Sequence, residues 1–211
     1  MHLTHTAIQA LNSRYRAHLI NGLSGFKSAN LVGTQSLAGK HNLAIVSSVF
    51  HLGADPALMG MIIRPHSVAR HTLENLQATG CFTLNQVSQP IYRAAHQSSA
   101  RYPREVSEFA AVGLTPEPSA LLAAPYVAES PVKVGLRLLS TQTLPNDTEL
   151  VIGEVVEIHL PEAAVGSEGY IDIESLGVVA ISGLDSYHTT ERLARLSYAK
   201  PNQVAEELPV K

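Results

Sequence analysis

The chain has 211 residues, of which 45% are hydrophobic and 16% charged, with a formal net charge of −3. That length suits one domain with decorations, and the composition argues against a disordered chain and against a polyanion-binding surface. The 15 Lys and Arg residues are scattered without a basic run, so no nucleic-acid partner is expected. Cys81 stands alone, which rules out an intrachain disulfide and fits a reducing compartment. There is no secretory signal, and no apolar run nears the roughly 20 residues of a membrane span. The expectation is a soluble cytoplasmic protein with no membrane partner.

In chain order, Ile8, Leu11, Tyr15 and Leu19 approximate helical spacing over residues 6–20, and Asn21-Gly22 is a natural stop. Residues 28–35 and 43–50 read as strands joined by a turn at Leu37–Lys40, and Asp55-Pro56 breaks the chain before a third strand over 58–63. Residues 66–79 have helical character, with Ser67 placed to cap the start and Gly80 to close the end. A strand follows over 81–87. Residues 97–131 carry five prolines, yet Phe109, Leu114 and Tyr126 give the stretch something to bury, so it reads as an ordered surface excursion. Strands return over 132–143, 149–160 and 176–181, and the tail after Tyr198 is polar and expected to be loose. Five to seven strands with few helices predict a mostly antiparallel barrel or sandwich.

Ten histidines invite a metal reading. His2 and His5, and His66 and His71, are the closest pairs, but neither has a third ligand nearby, so no metal is expected. Another chemistry fits residues 42–85 better. A flavin phosphate asks for hydroxyls, main-chain N–H groups and guanidiniums at a helix N-terminus. Ser47 and Ser48 are adjacent hydroxyls in the strand region, while Arg64, His66 and Ser67 lie at the strand-to-helix junction, with Arg70 and Thr72 just beyond. Asn42, Leu43 and Ala44 would then lie along the ring. A serine pair in a strand also reads as two satisfied hydroxyls, and the arginines as solvated cations. Spacing alone leaves both readings open.

Larger motifs bear on the choice. Thr34-Gln35, a Gly turn and Asn42-Leu43-Ala44-Ile45-Val46-Ser47-Ser48-Val49-Phe50 are followed by Asp55-Pro56. Then come Arg70-His71-Thr72-Leu73-Glu74-Asn75-Leu76, Thr79-Gly80-Cys81-Phe82-Thr83-Leu84-Asn85, Glu108-Phe109, Gly113-Leu114-Thr115 and Gly183-Leu184-Asp185-Ser186-Tyr187. In number and order these resemble the motifs of the flavin reductase-like, FMN-binding split-barrel family over roughly residues 25–200. Residues 1–24 then form a helical extension and 201–211 a polar tail.

The resemblance implies a mainly β, FMN-binding split β-barrel, antiparallel and of Greek-key type, with a few peripheral helices. It implies a homodimer that transfers hydride from NADH or NADPH to flavin, in some cases serving a partner monooxygenase. Ser47, Ser48, Arg70 and Thr72 fall where the family binds phosphate, Asn42 and Ala44 where it lines the ring, and Tyr187 on its C-terminal Tyr segment. Thr34, Gln35, Leu43, Arg64 and His71 are further cofactor-binding candidates. Three departures stand out: Ile45 and Ala57 replace family prolines, and Arg70-His71 replaces Lys-Asp, which keeps the cation and removes a carboxylate. Because hydride transfer is the cofactor's own chemistry, no catalytic side chain is required. His188 could border a nicotinamide pocket or be a surface histidine. Residues 97–131 could lie over the ring as a lid. Rival readings are an FMN-dependent reductase of a quinone or nitro compound, a flavin-binding protein without turnover, and a barrel that binds no flavin.

Overall fold

The structure, a computed structural model, describes residues 1–209. Helices α1 (His5–Ala10) and α2 (Ser13–Gly22) precede strands β1 (Phe26–Ser28), β2 (Asn30–Gln35), β3 (His41–Val46), β4 (Val49–Ala54) and β5 (Ala57–Ile63). Helix α3 (His71–Thr79) leads into β6 (Cys81–Gln86), followed by α4 (Tyr92–Gln97), α5 (Glu108–Val112), β7 (Pro116–Glu117) and β8 (Tyr126–Val127). The long strands β9 (Lys133–Thr143) and β10 (Glu149–His159) come next. After them are β11 (Ala180–Ser182), β12 (Ser186–His188), β13 (Arg195–Leu196) and β14 (Glu207–Leu208).

Seven strands pair antiparallel in the order β3-β2-β6-β9-β10-β5-β4. The two edge strands, β3 and β4, are consecutive in the chain and separated only by Ser47 and Ser48. One short link therefore joins both edges, and the sheet must curl into a barrel. The β4–β5 ladder runs on into this link, where the Ile62 N–H donates to the Ser48 carbonyl at 2.9 Å. The barrel, not the sandwich, is the architecture.

Both faces of β2 are buried, which is why it reads as an apolar run rather than an alternation. Val32 faces an interior core with Met61, Phe82, Leu84, Leu136 and Val151, which α3 extends through Leu73 and Leu76. Leu31 faces an outer core with Leu43, Val87, Ile91, Phe109 and Ile181. The Pro-rich excursion is ordered as expected, burying Phe109, Leu114 and Tyr126. It is tied to β6, where Thr83 Oγ1 donates to the Pro125 carbonyl at 2.6 Å and Asn85 Oδ1 accepts from the Val127 N–H at 2.9 Å.

Several local expectations are corrected. The helix expected over 6–20 is two helices, because the Asn12 side chain accepts from the Arg14 and Tyr15 N–H groups and starts a new one. The strand expected over 43–50 breaks at Ser47-Ser48, where the chain crosses between sheet edges. Ser67 does not cap α3. The helix starts after Arg70, whose own N–H is met by Glu74 Oε1 at 3.4 Å. Gly80 does close it, in the left-handed region at φ 71°. The last predicted strand begins later, at Ala180, with Val178 making only a bridge to Ser88. The tail is not wholly loose, since β14 pairs with β13; residues 210–211 lie outside the described residues. No helix among the described residues is long and apolar enough to cross a membrane.

Gly33 marks how closely the excursion sits on β2: a Cβ there would lie 2.2 Å from the Pro125 carbonyl oxygen and 2.5 Å from Thr83 Oγ1. Gly33→Ala is expected to destabilise the fold by about 1–3 kcal/mol, as overpacking does. Gly166→Ala, whose Cβ would meet nothing nearer than 3.7 Å, should stay within about 0.5 kcal/mol of the parent. Urea unfolding midpoints of the two variants check the contrast.

Candidate functional site

Helix α3 is bolted to the barrel by polar groups. Thr34 and Asn42 are direct cross-strand partners on β2 and β3. Thr72 and Asn75, three apart and so on one helix face, lie over that pair. Asn42 Nδ2 donates to Thr72 Oγ1 at 3.0 Å, and Asn75 Nδ2 donates to Thr34 Oγ1 at 3.2 Å. All four side chains are buried, Thr34 completely. The structure thus brings together three residues chosen from the sequence, Thr34, Asn42 and Thr72, through bonds to one another and to Asn75.

At the start of α3 the charges are arranged around one carboxylate. Glu74 accepts from the Arg70 N–H, lies 3.3 Å from His66 Nε2 and pairs with Arg104. Its burial opposes ionisation, but the Arg104 bond and charge, the Arg70 N–H and nearby His71 prevail and hold it below the usual carboxylate range. Arg70 Nε donates to the Pro65 carbonyl at 3.2 Å. Burial, and then the charges of Arg64 and Arg101, lower the Arg70 pKa from its ordinary value. Arg64 and Arg101 are exposed and have no ion-pair partner among the described residues. Three guanidiniums therefore gather where the helix dipole is positive. Ser47 and Ser48 lie beside the strand that runs into Arg64, and their hydroxyls make no hydrogen bond among the described residues.

Farther along β3, the Leu43 N–H donates to Glu108 Oε2 at 3.0 Å, and the Leu43 side chain is wholly buried in the outer core. Ala44 and Gln35 are half-buried. Tyr187 and His188 lie away from α3. The Tyr187 ring packs on Tyr92 at 5.4 Å, and its hydroxyl is 3.0 Å from His96 Nδ1. Burial and Asp185 push its pKa up to about 12. His188 Nε2 is 2.8 Å from Ser182 Oγ, and its ring stands edge-on to Phe26. A cavity of about 420 Å³ opens between the β2–β3 turn, α3 and residues 104–108; of the residues chosen from the sequence it includes Asn42 and His71.

Residues 25–175 match the family described as flavin reductase like domain. The chain belongs to that family. A structure from Shewanella frigidimarina NCIMB 400, assigned as a flavin reductase with a split barrel domain, is 55% identical, with TM-score 0.90 over 94% of this chain and 100% of that one. The 2-nitrobenzoate 2-nitroreductase of Pseudomonas fluorescens shares the fold at 22% identity, with TM-score 0.81 over 97% of this chain and 98% of that one. Nitrilotriacetate monooxygenase component B of Bacillus cereus does so at 20% identity, with TM-score 0.83 over 93% and 98%.

This flavin reductase-like chain is therefore an oxidoreductase on a split barrel. Three polar residues of its candidate site escape sequence reasoning. Arg101 lies in a stretch with no periodicity, which the Arg104–Glu74 pair ties to α3. Glu74 reads locally as a solvated helix residue, and Glu108 as the first residue of a short helix, although its carboxylate reaches a strand 65 positions away.

Thr72→Val would leave Asn42 Nδ2 without its acceptor, and a loss of about 1–3 kcal/mol is expected in denaturant unfolding. Glu74→Gln should cost about 1 kcal/mol at neutral pH, since its pairs are partly exposed and screened. Because the folded carboxylate is held below its ordinary value, its contribution is full above the unfolded range and is lost as pH falls through the folded one. The stability gap between parent and variant should therefore close on acidification, which unfolding curves across that range measure.

Proposed function

We propose that this chain binds FMN and passes to it the hydride of NADH or NADPH. The observation that carries this reading is the gathering of Arg64, Arg70 and Arg101 at the start of α3, where Glu74 is already engaged by Arg104. Like charges held together gain most from a multivalent anion, and a phosphate monoester at a helix N-terminus meets both conditions.

The donors present suit that group. Arg64, Arg70 and Arg101 would hold the phosphate, with the Ser47 and Ser48 hydroxyls reaching it from the β3–β4 link. Thr72 and His71 border the same helix start. Asn42 and Ala44 would face the ring, while the Leu43 side chain remains in the core and its N–H stays on Glu108. When bound, FMN supplies the ring that accepts hydride. The protein positions this ring through β3, whose edge Glu108 holds, and through α3, which the Asn42–Thr72 bond fixes against it. Arg70 keeps its charge throughout the physiological range despite its lowered pKa.

We place the protein in the cytoplasm as a homodimer. Exposed Leu139, Val156 and Ile158 on β9 and β10 offer apolar surface for a second copy. Reduced flavin released from it would serve a partner monooxygenase.

The Arg64→Ala, Arg70→Ala double variant should lose a few kcal/mol of FMN affinity, because each charge-assisted bond contributes about 1.5–3 kcal/mol. Binding of riboflavin, which lacks the phosphate, should hardly change. FMN affinity equal to the parent's in fluorescence titration would place the phosphate elsewhere. Anaerobic addition of NADH or NADPH to the FMN-loaded parent should bleach the flavin band.

A further inference from the structure

The start of α3 is held in place by side chains rather than by a ladder. Residues 64–69, which carry the chain from β5 to the helix, make no backbone–backbone hydrogen bond among the described residues. Two side-chain ties fix them: Arg70 Nε donates to the Pro65 carbonyl at 3.2 Å, and His66 Nε2 lies 3.3 Å from Glu74 Oε1. The stretch that carries Arg101 makes only short-range backbone bonds, such as Val106 N–H to the Pro103 carbonyl at 2.9 Å, and is tied to α3 by the Arg104–Glu74 pair. The same Oε1 that faces His66 accepts from the Arg70 N–H at 3.4 Å. Glu74 therefore spans three segments, with one oxygen on the loop and the helix start and the other on the excursion.

We infer that Glu74 is a positioning residue for the flavin phosphate, holding the loop of Arg64 and the excursion of Arg101 where they and Arg70 can reach one anion. The inference rests on the FMN reading and adds to it a residue that acts only through others. Its sign separates it from simple electrostatics. A carboxylate beside an anion site repels the anion, so by charge alone its removal tightens binding. A carboxylate that assembles the site does the opposite: without it the loop and the excursion lose their shared anchor, and the guanidiniums are no longer held in one geometry.

Fluorescence titrations with FMN, and with riboflavin as the probe without a phosphate, test this. Glu74→Ala removes every tie and should weaken FMN about tenfold, one decade in Kd. Glu74→Gln keeps an oxygen for the Arg70 N–H and for Arg104 but loses the charge, so it should weaken FMN by only about threefold. Arg104→Ala should weaken FMN about tenfold by itself and add less than about twofold to Glu74→Ala, since the two act through one pair. Riboflavin affinity should stay within about twofold of the parent in every variant. Glu74→Ala binding FMN as tightly as the parent, or more tightly, overturns the inference, and so does a loss of riboflavin affinity equal to that of FMN. A parent protein that takes up no FMN overturns the flavin reading instead; calorimetry of the same variants with inorganic pyrophosphate then decides separately whether Glu74 assembles an anion site.

Discussion

Two residues join the opposite edges of a seven-stranded sheet, and that constraint shapes everything near the candidate site. Because only Ser47 and Ser48 separate β3 from β4, the sheet cannot lie open, and β5 is drawn beside the point where β3 ends. The chain leaving β5 then has to emerge next to those serines, carrying Arg64 with it. The serine link and the end of β5 that carries Arg64 are neighbours because the β4–β5 ladder runs on through Ser48 and Ile62.

The remaining groups are placed by α3. An apolar stripe of Leu73 and Leu76 would seat the helix on the barrel in more than one register, since apolar contacts are not directional. The buried bonds from Asn42 to Thr72 and from Asn75 to Thr34 are directional, and they select one. With the register chosen, Arg70 reaches the Pro65 carbonyl of the loop after Arg64, and Glu74 stands half-buried beside the cavity. Glu74 then collects His66 and Arg104, so that the excursion carrying Arg101 is drawn to the same corner. A single carboxylate thereby organises three segments while leaving the other arginines uncompensated, the state in which an anion is most strongly attracted.

Much of this architecture was readable in local patterns. The β-branched runs marked the main strands, the Leu37–Lys40 turn formed as expected, and Gly80 closed α3 as its position implied. The misreadings share a cause. Ser67 looked like a cap, but the helix start is decided by Glu74 reaching back to Arg70. Residues 43–50 looked like one strand because crossing from one sheet edge to the other leaves no mark in hydrophobicity. The partners of Asn42 and Thr34, namely Thr72 and Asn75, lie 30 and 41 positions away, so no local pattern marks the bonds that fix them. Arg101 and Glu108 were passed over for the corresponding reason: the groups they act on, the Arg70 guanidinium and the Leu43 N–H, are distant in the chain.

By itself the sequence determined the strand content, the antiparallel barrel class, the family, and the presence of hydroxyls and guanidiniums between Ser47 and Thr72. These follow from short-range periodicity, turn residues and the order of motifs, all of which survive in one dimension. The tertiary structure alone decided which polar residues face one another, which arginines share a corner, and that a buried carboxylate opens onto a cavity beside β3. Such facts depend on barrel closure and helix register, and both arise from contacts between residues tens of positions apart, whose closeness no local pattern encodes.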